Sequence, residues 1–142
     1  MVEVRTASGS TVKAQMNSFY ESVGSLGRAR DEDLFFIAYK DGHLAGCVRY
    51  CVESKLPMLR TMMVAKEFRN IGVGRSLLQS FAEYLDEKDV RDTYVLPYAH
   101  LETFYGMIGF KRVTGIQIPT YLKDRLELYK SSGKQYICMH RE

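Results

Sequence analysis

Residues 64–78 read VAKEFRNIGVGRSLL and join an apolar strand to an amphipathic helix through a basic turn that contains two glycines. Glycine lets backbone N–H groups approach a ligand closely, and the first N–H groups of a helix have no intrahelical partner. Such a turn suits phosphate. The strand is predicted from Leu59 to Val64, and the helix is predicted from residues at helical spacing, namely Gly74, Leu77, Leu78, Phe81 and Leu85.

Three phosphate-binding families place glycines in this context, and their spacing distinguishes them. A Walker A loop needs glycine where this chain has Arg69, and a dinucleotide fingerprint needs its third glycine where the chain has Leu77. Both patterns therefore fail. The remaining pattern, R-x-x-G-x-G from Arg69 to Gly74, resembles the acyl-CoA pyrophosphate loop of the GNAT superfamily of N-acetyltransferases.

A second motif supports this resemblance. Residues 101–110 read LETFYGMIGF and resemble the family's F-Y-x-x-x-G-F segment, a short helix that ends at glycine and precedes a strand. Between the two motifs the sequence predicts the end of the first helix at Leu85, a charged turn over 86–92 and a strand over 94–97. Because both motifs occur in this order, they indicate the family more strongly than either does alone.

The rest of the chain predicts an α+β fold, a single domain over residues 1–142 with a mixed, mostly antiparallel twisted sheet flanked by helices. The resemblance further implies that strands 58–64 and 94–97 splay apart to admit the pantetheine arm of CoA. Upstream, the pattern predicts a strand over 2–5, a helix from the Ser8-Gly9-Ser10 cap to Val23, a loop over 24–33, and strands over 34–39 and 44–52 joined by an Asp41-Gly42 hairpin turn.

The carboxy-terminal third departs from the plainest family pattern. A helix is predicted over 119–130, with Pro119 at its first position and Gly133 as its C-cap, before a strand over 135–139. One interpretation is a surface helix that packs on the sheet. The other uses Tyr121 and Tyr129 to shape an acceptor pocket or a homodimer interface. The loop 24–33 similarly suits either a substrate mouth or a solvated connection.

Composition restricts the partners. The chain has 142 residues, and its 20 Lys and Arg are interspersed among 17 acidic residues, for a net charge of +3. Without a basic stripe, nucleic acid is not an expected partner. No secretory segment or run of membrane-spanning length is recognised, so we expect a cytoplasmic protein without a membrane partner.

The cysteines and histidines predict neither a disulfide nor a metal site. Cys47 and Cys51 share a face of one predicted strand, about 13 Å apart at about 3.3 Å per residue, which is too far for a disulfide or a shared metal ion. Cys138 is interpreted as a small core residue. The three histidines, at positions 43, 100 and 140, are scattered and show no zinc-ligand spacing.

The resemblance implies acetyl-CoA as the cosubstrate. Arg69 is expected to fix the loop and contact pyrophosphate. For Lys66 and Arg75 the alternative to a ligand contact is a charged side chain that is simply exposed to solvent. The backbone at the end of the strand is expected to bind the thioester oxygen. The predicted cofactor-binding residues are Met62, Met63, Val64, Arg69, Asn70, Ile71, Gly72, Val73, Gly74, Arg75 and Tyr105.

Tyr105 aligns with the tyrosine that in this family often protonates the departing thiolate of CoA. A phenol with a pKa near 10 is protonated at neutral pH and can donate that proton. The alternative is that Tyr105 only packs. The general base is left open among His100, whose type of side chain has a pKa of about 6.5, Glu53, Glu102 and water.

The predicted function is therefore transfer of an acetyl group from acetyl-CoA to a primary amine of a small molecule, peptide or protein. The alternative is a non-catalytic acyl-CoA-binding regulatory module, which would not need a proton donor. Tyrosine at position 105 favours the enzyme. Tyr98 and Leu101 differ from the residues that many family members carry, which would alter the acceptor pocket. The sequence shows neither a strongly acidic nor a strongly basic acceptor site.

Overall fold

Seven strands form one sheet in the computed structural model, which describes residues 1–142. The strands are β1 (Val2–Ser8), β2 (Leu34–Lys40), β3 (His43–Glu53), β4 (Leu56–Val64), β5 (Thr93–Val95), β6 (Lys111–Val113) and β7 (Cys138–Arg141). Their spatial order is β1-β2-β3-β4-β5-β7-β6, and every neighbouring pair is antiparallel except β4 with β5. The mixed, mostly antiparallel sheet expected from the sequence is confirmed.

Four α-helices and three short 3-10 turns connect the strands. The helices are α1 (Gly9–Ser22), α2 (Val73–Glu87), α3 (Glu102–Gly106) and α4 (Thr120–Lys130). The 3-10 turns cover Lys66–Phe68, Ala99–Leu101 and Gly115–Gln117. None of the helices combines the length and the apolar composition that crossing a bilayer requires.

The largest part of the core lies between α2 and one face of the sheet. Leu77 and Phe81 of α2 are fully buried and pack in the same cluster as Phe36 of β2 and Val48 of β3. Burial of each such side chain is worth about 1.5–3 kcal/mol relative to exposure. This packing fixes the start of α2 beside the end of β4.

The helices α1 and α4 lie on the opposite face of the sheet. Tyr20 of α1 packs in one cluster with Cys47, and Leu122 of α4 packs in another with Cys51. The loop 24–33 is held against the start of α1, where the Gly9 N–H donates to Asp33 O at 2.7 Å. A Cβ at Gly9 would lie 1.9 Å from the carbonyl oxygen of Arg30, so only glycine permits this approach.

The strands β4 and β5 separate where the resemblance places the pantetheine arm. They pair in parallel at one position only, Met58 with Tyr94, so the edge of β4 that faces β5 is unpaired beyond Met58. A bulge interrupts β4 on its other side, because Cys47 pairs with Met63 whereas Arg49 pairs with Arg60. Thr61 lies in this bulge with φ of 49°, in the left-handed region that a β-branched residue rarely adopts.

Several predicted boundaries shift. The last strand begins at Cys138 rather than at Gln135, because Tyr136 forms only an isolated bridge with Tyr98. The strand predicted over 94–97 is Thr93–Val95, since Pro97 has no N–H to extend the ladder. The α4 helix begins one residue after Pro119, which serves as its N-cap.

Candidate active site

The turn before α2 presents backbone donors. Gly72 is the N-cap of α2 with φ of 93°, and the first helical bond runs from Ser76 N to Gly72 O at 3.0 Å. The N–H groups of Val73, Gly74 and Arg75 therefore have no acceptor within the helix. The first turn of α2 contains no acidic residue, so the positive end of the helix dipole is uncompensated. This geometry can bind an anion such as pyrophosphate.

Arg69 holds this turn against the strand that precedes it. Its Nε donates to the carbonyl oxygen of Val64 at 3.1 Å, which leaves the two terminal nitrogens of the guanidinium for a ligand. Asn70 adopts φ of 66°, and this left-handed residue turns the chain towards α2. Arg75 also lines the cavity described next, whereas Lys66 is exposed outside it.

A cavity of about 720 Å³ lies between the end of β4, the start of α2 and α3. Its size falls in the range of small-molecule and cofactor sites. Its walls include Phe68, Leu101, Phe104 and Met107, which give the cavity an apolar character. Among the predicted cofactor-binding residues, the cavity is lined by Met62, Val64, Arg69, Asn70, Gly72, Val73, Gly74, Arg75 and Tyr105.

Two predicted cofactor-binding residues do not line this cavity. Met63 packs against the cluster that α1 forms on the opposite face, so only its backbone is available to the cavity side. Ile71 is half-exposed at the outer end of the turn. Alternation along β4 explains the position of Met63, because successive side chains of a strand point to opposite faces.

Tyr105 forms part of the buried wall of the cavity. Its side chain is 5% exposed, and its ring makes edge-to-face contacts with Phe104 and Phe110 at centroid distances of 5.0 and 6.2 Å. Burial raises the pKa of the Tyr105 hydroxyl above its ordinary value, so the phenol is protonated at neutral pH. A protonated phenol therefore lines the same cavity as the turn before α2.

His100 and Glu102 lie outside this cavity. His100 is exposed and stacks on Tyr98 at a centroid distance of 5.7 Å, in a separate surface depression that also contains Lys134. Glu102 is half-exposed at the start of α3 and lies 3.9 Å from Arg112. The structure thus brings Tyr105, but neither His100 nor Glu102, into one cavity with the glycine turn before α2.

Glu53 is committed to an ion pair. Arg60 Nε and Nη2 donate to its two carboxylate oxygens at 2.8 and 2.9 Å, and the Tyr121 hydroxyl donates to Oε1 at 2.7 Å. Burial would raise the pKa of Glu53, but these hydrogen bonds and the Arg60 charge lower that pKa to about 2. So acidic a carboxyl group is a weak base at neutral pH.

The Glu53 ion pair predicts an acid-dependent stability. The pKa of Glu53 is about 2 in the folded state and about 4.3 in the unfolded state. Ionised Glu53 therefore stabilises the fold above pH 4.3, and this contribution is lost as the pH falls towards 2. We expect the free energy of unfolding, measured with urea, to fall between pH 6 and pH 2 in both proteins. The fall should be on the order of 2 kcal/mol larger in the parent protein than in Glu53→Gln. Equal pH dependence in the two proteins would contradict this assignment.

A second, basic cavity lies on the α1 and α4 face, formed partly by the loop 24–33 and the carboxy-terminal helix that the sequence offered as possible walls of an acceptor pocket, but its basic character was not predicted. Its volume is about 560 Å³, and it is lined by Arg28, Arg30, Arg49, Arg60 and Arg125. These residues come from the loop 24–33, β3, β4 and α4, so no local pattern contains them. One signal was present, because Arg49 occupies an inward-facing position between the buried Cys47 and Cys51.

Comparison with known proteins agrees with the geometry. Residues 31–112 match the model of the acetyltransferase (GNAT) domain, which is more than half of the chain. A curated relative, an uncharacterized N-acetyltransferase of Chlorobaculum tepidum, is 32% identical over 80 residues, which are 56% of this chain. The match spans half the length of that relative.

Solved structures share the fold along the whole chain. Escherichia coli ElaA has a TM-score of 0.69 at 18% identity, and the alignment covers 100% of both chains. Rv2747 of Mycobacterium tuberculosis, solved in complex with CoA, has a TM-score of 0.71 at 15% identity and covers 98% of each chain. N-acetylglutamate synthase of Neisseria gonorrhoeae, complexed with CoA and N-acetyl-glutamate, has a TM-score of 0.65 at 21% identity and covers 99% of this chain and 35% of its own.

At these identities the structural matches establish the fold, and the domain match establishes the family. This protein belongs to the GNAT superfamily of N-acetyltransferases.

Proposed function

We propose that the protein transfers an acetyl group from acetyl-CoA to a primary amine, with Tyr105 as the general acid. Its family and fold support acyl transfer from acyl-CoA. The observation that carries the proposal is that one cavity is lined both by Val73, Gly74 and Arg75, whose N–H groups have no acceptor within the helix, and by the buried Tyr105.

The anion-binding turn fits the pyrophosphate of CoA. The N–H groups at the start of α2 are donors for its oxygens, and Arg69 and Arg75 add positive charge beside them. The apolar walls, which include Phe68 and Leu101, suit the less polar pantetheine arm. In this proposal the arm lies between β4 and β5, where the two strands are unpaired.

The unpaired edge of β4 is the proposed site of the thioester. Backbone N–H groups between Met62 and Val64 on this edge would stabilise the negative charge that develops on the carbonyl oxygen. The amine nitrogen forms a bond to the carbonyl carbon as the C–S bond breaks. The Tyr105 hydroxyl gives its proton to the departing thiolate and afterwards regains one from the nitrogen of the product or from water.

No basic side chain of the cavity is suited to deprotonate the amine. Arg69 and Arg75 are cationic, His100 lies elsewhere, and the Glu53 carboxylate is bound to Arg60. We therefore propose that the amine reacts in its neutral form and that its excess proton leaves through water. A binding-only module would not require a protonated phenol at the separated strands, and the position of Tyr105 favours the enzyme.

Compartment and acyl specificity are also part of the proposal. The three cysteines, Cys47, Cys51 and Cys138, are free and buried, which supports a reducing environment such as the cytoplasm. Acetyl is proposed as the transferred group on the family resemblance. Competition between acetyl-CoA and longer acyl-CoA thioesters would measure this preference.

Saturating CoA is expected to raise the melting temperature. A ligand at 100 times its Kd adds about 2.7 kcal/mol to the stability of the folded state. For a chain of this size that corresponds to a shift of roughly 5–12 °C, which differential scanning fluorimetry would detect. Desulfo-CoA should stabilise equally, because the proposed contacts involve pyrophosphate and pantetheine. If neither CoA nor desulfo-CoA binds, the proposed cosubstrate is wrong. If CoA does bind, the transfer itself is tested by measuring thiol release from acetyl-CoA with a panel of amines.

A further inference from the structure

The arginine cavity carries an excess of positive charge. Asp33 accepts hydrogen bonds from Arg30 Nη2 at 3.1 Å and from Arg49 Nη1 at 2.7 Å. Glu53 is bound to Arg60, and the exposed Glu32 lies 3.6 Å from Arg30. These carboxylates leave two guanidinium groups without an acidic partner.

The two unpaired guanidinium groups are those of Arg28 and Arg125. Arg28 donates only to the carbonyl oxygen of its neighbour Gly27, at 2.8 Å. Arg125 lies over the rings of Tyr121 and Tyr129, at 5.9 and 6.0 Å from their centroids, and forms no ion pair. An arginine in this setting is oriented by aromatic contacts while its planar N–H donors remain available for an anion.

Buried donors also lack acceptors in this cavity. The Nε atoms of Arg49 and Arg125 are inaccessible to solvent and have no hydrogen-bond partner. Buried N–H groups of a charged side chain are costly when they are unsatisfied. Arg49 and Arg125 both line the cavity, although these two Nε atoms do not face it. Because five arginines and only one acidic residue, Glu53, line the cavity, a ligand that brings oxygen acceptors would complement it better than an apolar or cationic ligand.

The arginine cavity and the proposed CoA cavity reach the same short stretch of β4 from opposite faces of the sheet. Thr61 lines the arginine cavity, and the next residue, Met62, lines the CoA cavity. Arg49 Nη2 lies 3.4 Å from Thr61 Oγ1, so the basic groups extend to the bulge itself. In the proposal, a small molecule in the arginine cavity approaches this stretch of β4 from the face opposite the CoA cavity.

We infer that the acceptor is a small primary amine that carries an anionic group, a carboxylate or a phosphate, and that Arg28 and Arg125 bind this group. The inference rests on the proposed function and adds the class of substrate. Tyr121 and Tyr129, which are linked to Glu53 and Arg60 by their hydroxyl groups, form the wall that orients Arg125. Their position agrees with the interpretation of the carboxy-terminal helix as part of an acceptor pocket.

Matched amines test the substrate class. Thiol release from acetyl-CoA would be compared for each amino acid and its α-amide, and for phosphoethanolamine and ethanolamine. We expect at least one anionic amine to have a kcat/KM at least ten times that of its neutral partner. The pair that shows the preference separates carboxylate from phosphate. Equal or higher rates with every neutral partner that is acetylated would overturn the inference, although acetyl transfer itself would still stand.

Arg125→Gln and Arg28→Gln test the binding site. Each variant should raise KM for the anionic amine about 10- to 100-fold while KM for acetyl-CoA and for the neutral amine changes little. The preference for the anionic partner should then nearly disappear, and Arg125→Lys should restore part of it. Arg91→Gln is the matched control, because Arg91 is 74% exposed and pairs only with Asp89. Equal losses with anionic and neutral amines would indicate a merely structural role and would overturn the inference.

A binding measurement decides the matter if no amine of the panel is acetylated. Inorganic phosphate and N-acetylglycine, titrated at constant ionic strength with saturating CoA, should raise the melting temperature of the parent protein but not of the Arg28→Gln, Arg125→Gln double variant. Equal responses of the two proteins would overturn the inference. If CoA does not raise the melting temperature of the parent protein, the proposed function is refuted. The comparison of the parent with the double variant would still show whether the anions bind at Arg28 and Arg125.

Discussion

Replacement of Tyr105 by phenylalanine is expected to lower kcat about ten- to a thousand-fold while the Kd for CoA changes little. The hydroxyl is proposed to protonate the departing thiolate, and its loss removes an interaction made only in the transition state. The ring should keep its place, because Phe104 and Phe110 contact its carbon framework and no internal hydrogen bond holds the hydroxyl. Steady-state kinetics with the best amine, together with calorimetric titration of CoA, measures both quantities.

The matched control for this variant is Tyr84→Phe. Tyr84 lies on α2 outside the CoA cavity, where its ring packs against Phe36 and Tyr50 at 5.7 and 5.3 Å. Removal of the Tyr84 hydroxyl should leave kcat unchanged. An unchanged kcat in Tyr105→Phe would exclude Tyr105 as the proton donor. Weaker CoA binding in that variant would instead mean that the hydroxyl holds CoA.

The pH dependence of kcat gives a second test of Tyr105. A general acid must be protonated, and burial raises the pKa of this phenol above its ordinary value of about 10. Deprotonation of Tyr105 should therefore not reduce kcat anywhere below about pH 10. An alkaline decline that begins near neutral pH and disappears in Tyr105→Phe would contradict the environment described for this residue.

The sequence predicted the glycine turn before α2 because all its determinants are local. The glycines, Arg69 and the apolar spacing of α2 lie within one short stretch, and each constrains its own neighbours. The buried face of α2, from Leu77 to Leu85, agrees with the predicted helical spacing. The same holds for the hairpin at Asp41-Gly42, where both residues adopt positive φ as the turn chemistry requires.

The arginine cavity could not be predicted because its parts meet only in the folded chain. Arg28 and Arg125 are distant in sequence, and their approach depends on the packing of Leu122 beneath α4 and on the loop bonds to Gly9. Interspersed charge in the sequence suggested the absence of a basic site, but the fold gathers arginines on one face. Likewise, the sequence leaves Glu53 as a candidate base, because its hydrogen bonds to Arg60 exist only in the folded chain.

Gly74→Val is expected to weaken CoA binding by about 100-fold or more, because several charge-assisted hydrogen bonds to pyrophosphate would be lost together. A Cβ at Gly74 would already lie 3.3 Å from Phe104 Cζ, so the two methyl groups of valine must enter the narrow space between α2 and α3. There they would obstruct the approach of a phosphate to the N–H groups of Val73 and Arg75. Isothermal titration of CoA measures the effect, and circular dichroism checks that the helix content is kept.

The choice of Gly74 over Gly72 follows from the backbone. Gly72 has φ of 93°, and any side chain there would strain the turn by about 1–2 kcal/mol even though nothing lies within 4 Å of its Cβ position. A loss of binding in a Gly72 variant would therefore mix strain with obstruction. Gly74 has a helical backbone that accepts valine without strain, and only the far end of the Phe104 ring must shift by a few tenths of an ångström. Gln79→Val, on the exposed surface of the same helix, carries the same side chain without reaching the cavity. Equal CoA affinities in Gly74→Val and Gln79→Val would show that the phosphate does not bind at the start of α2.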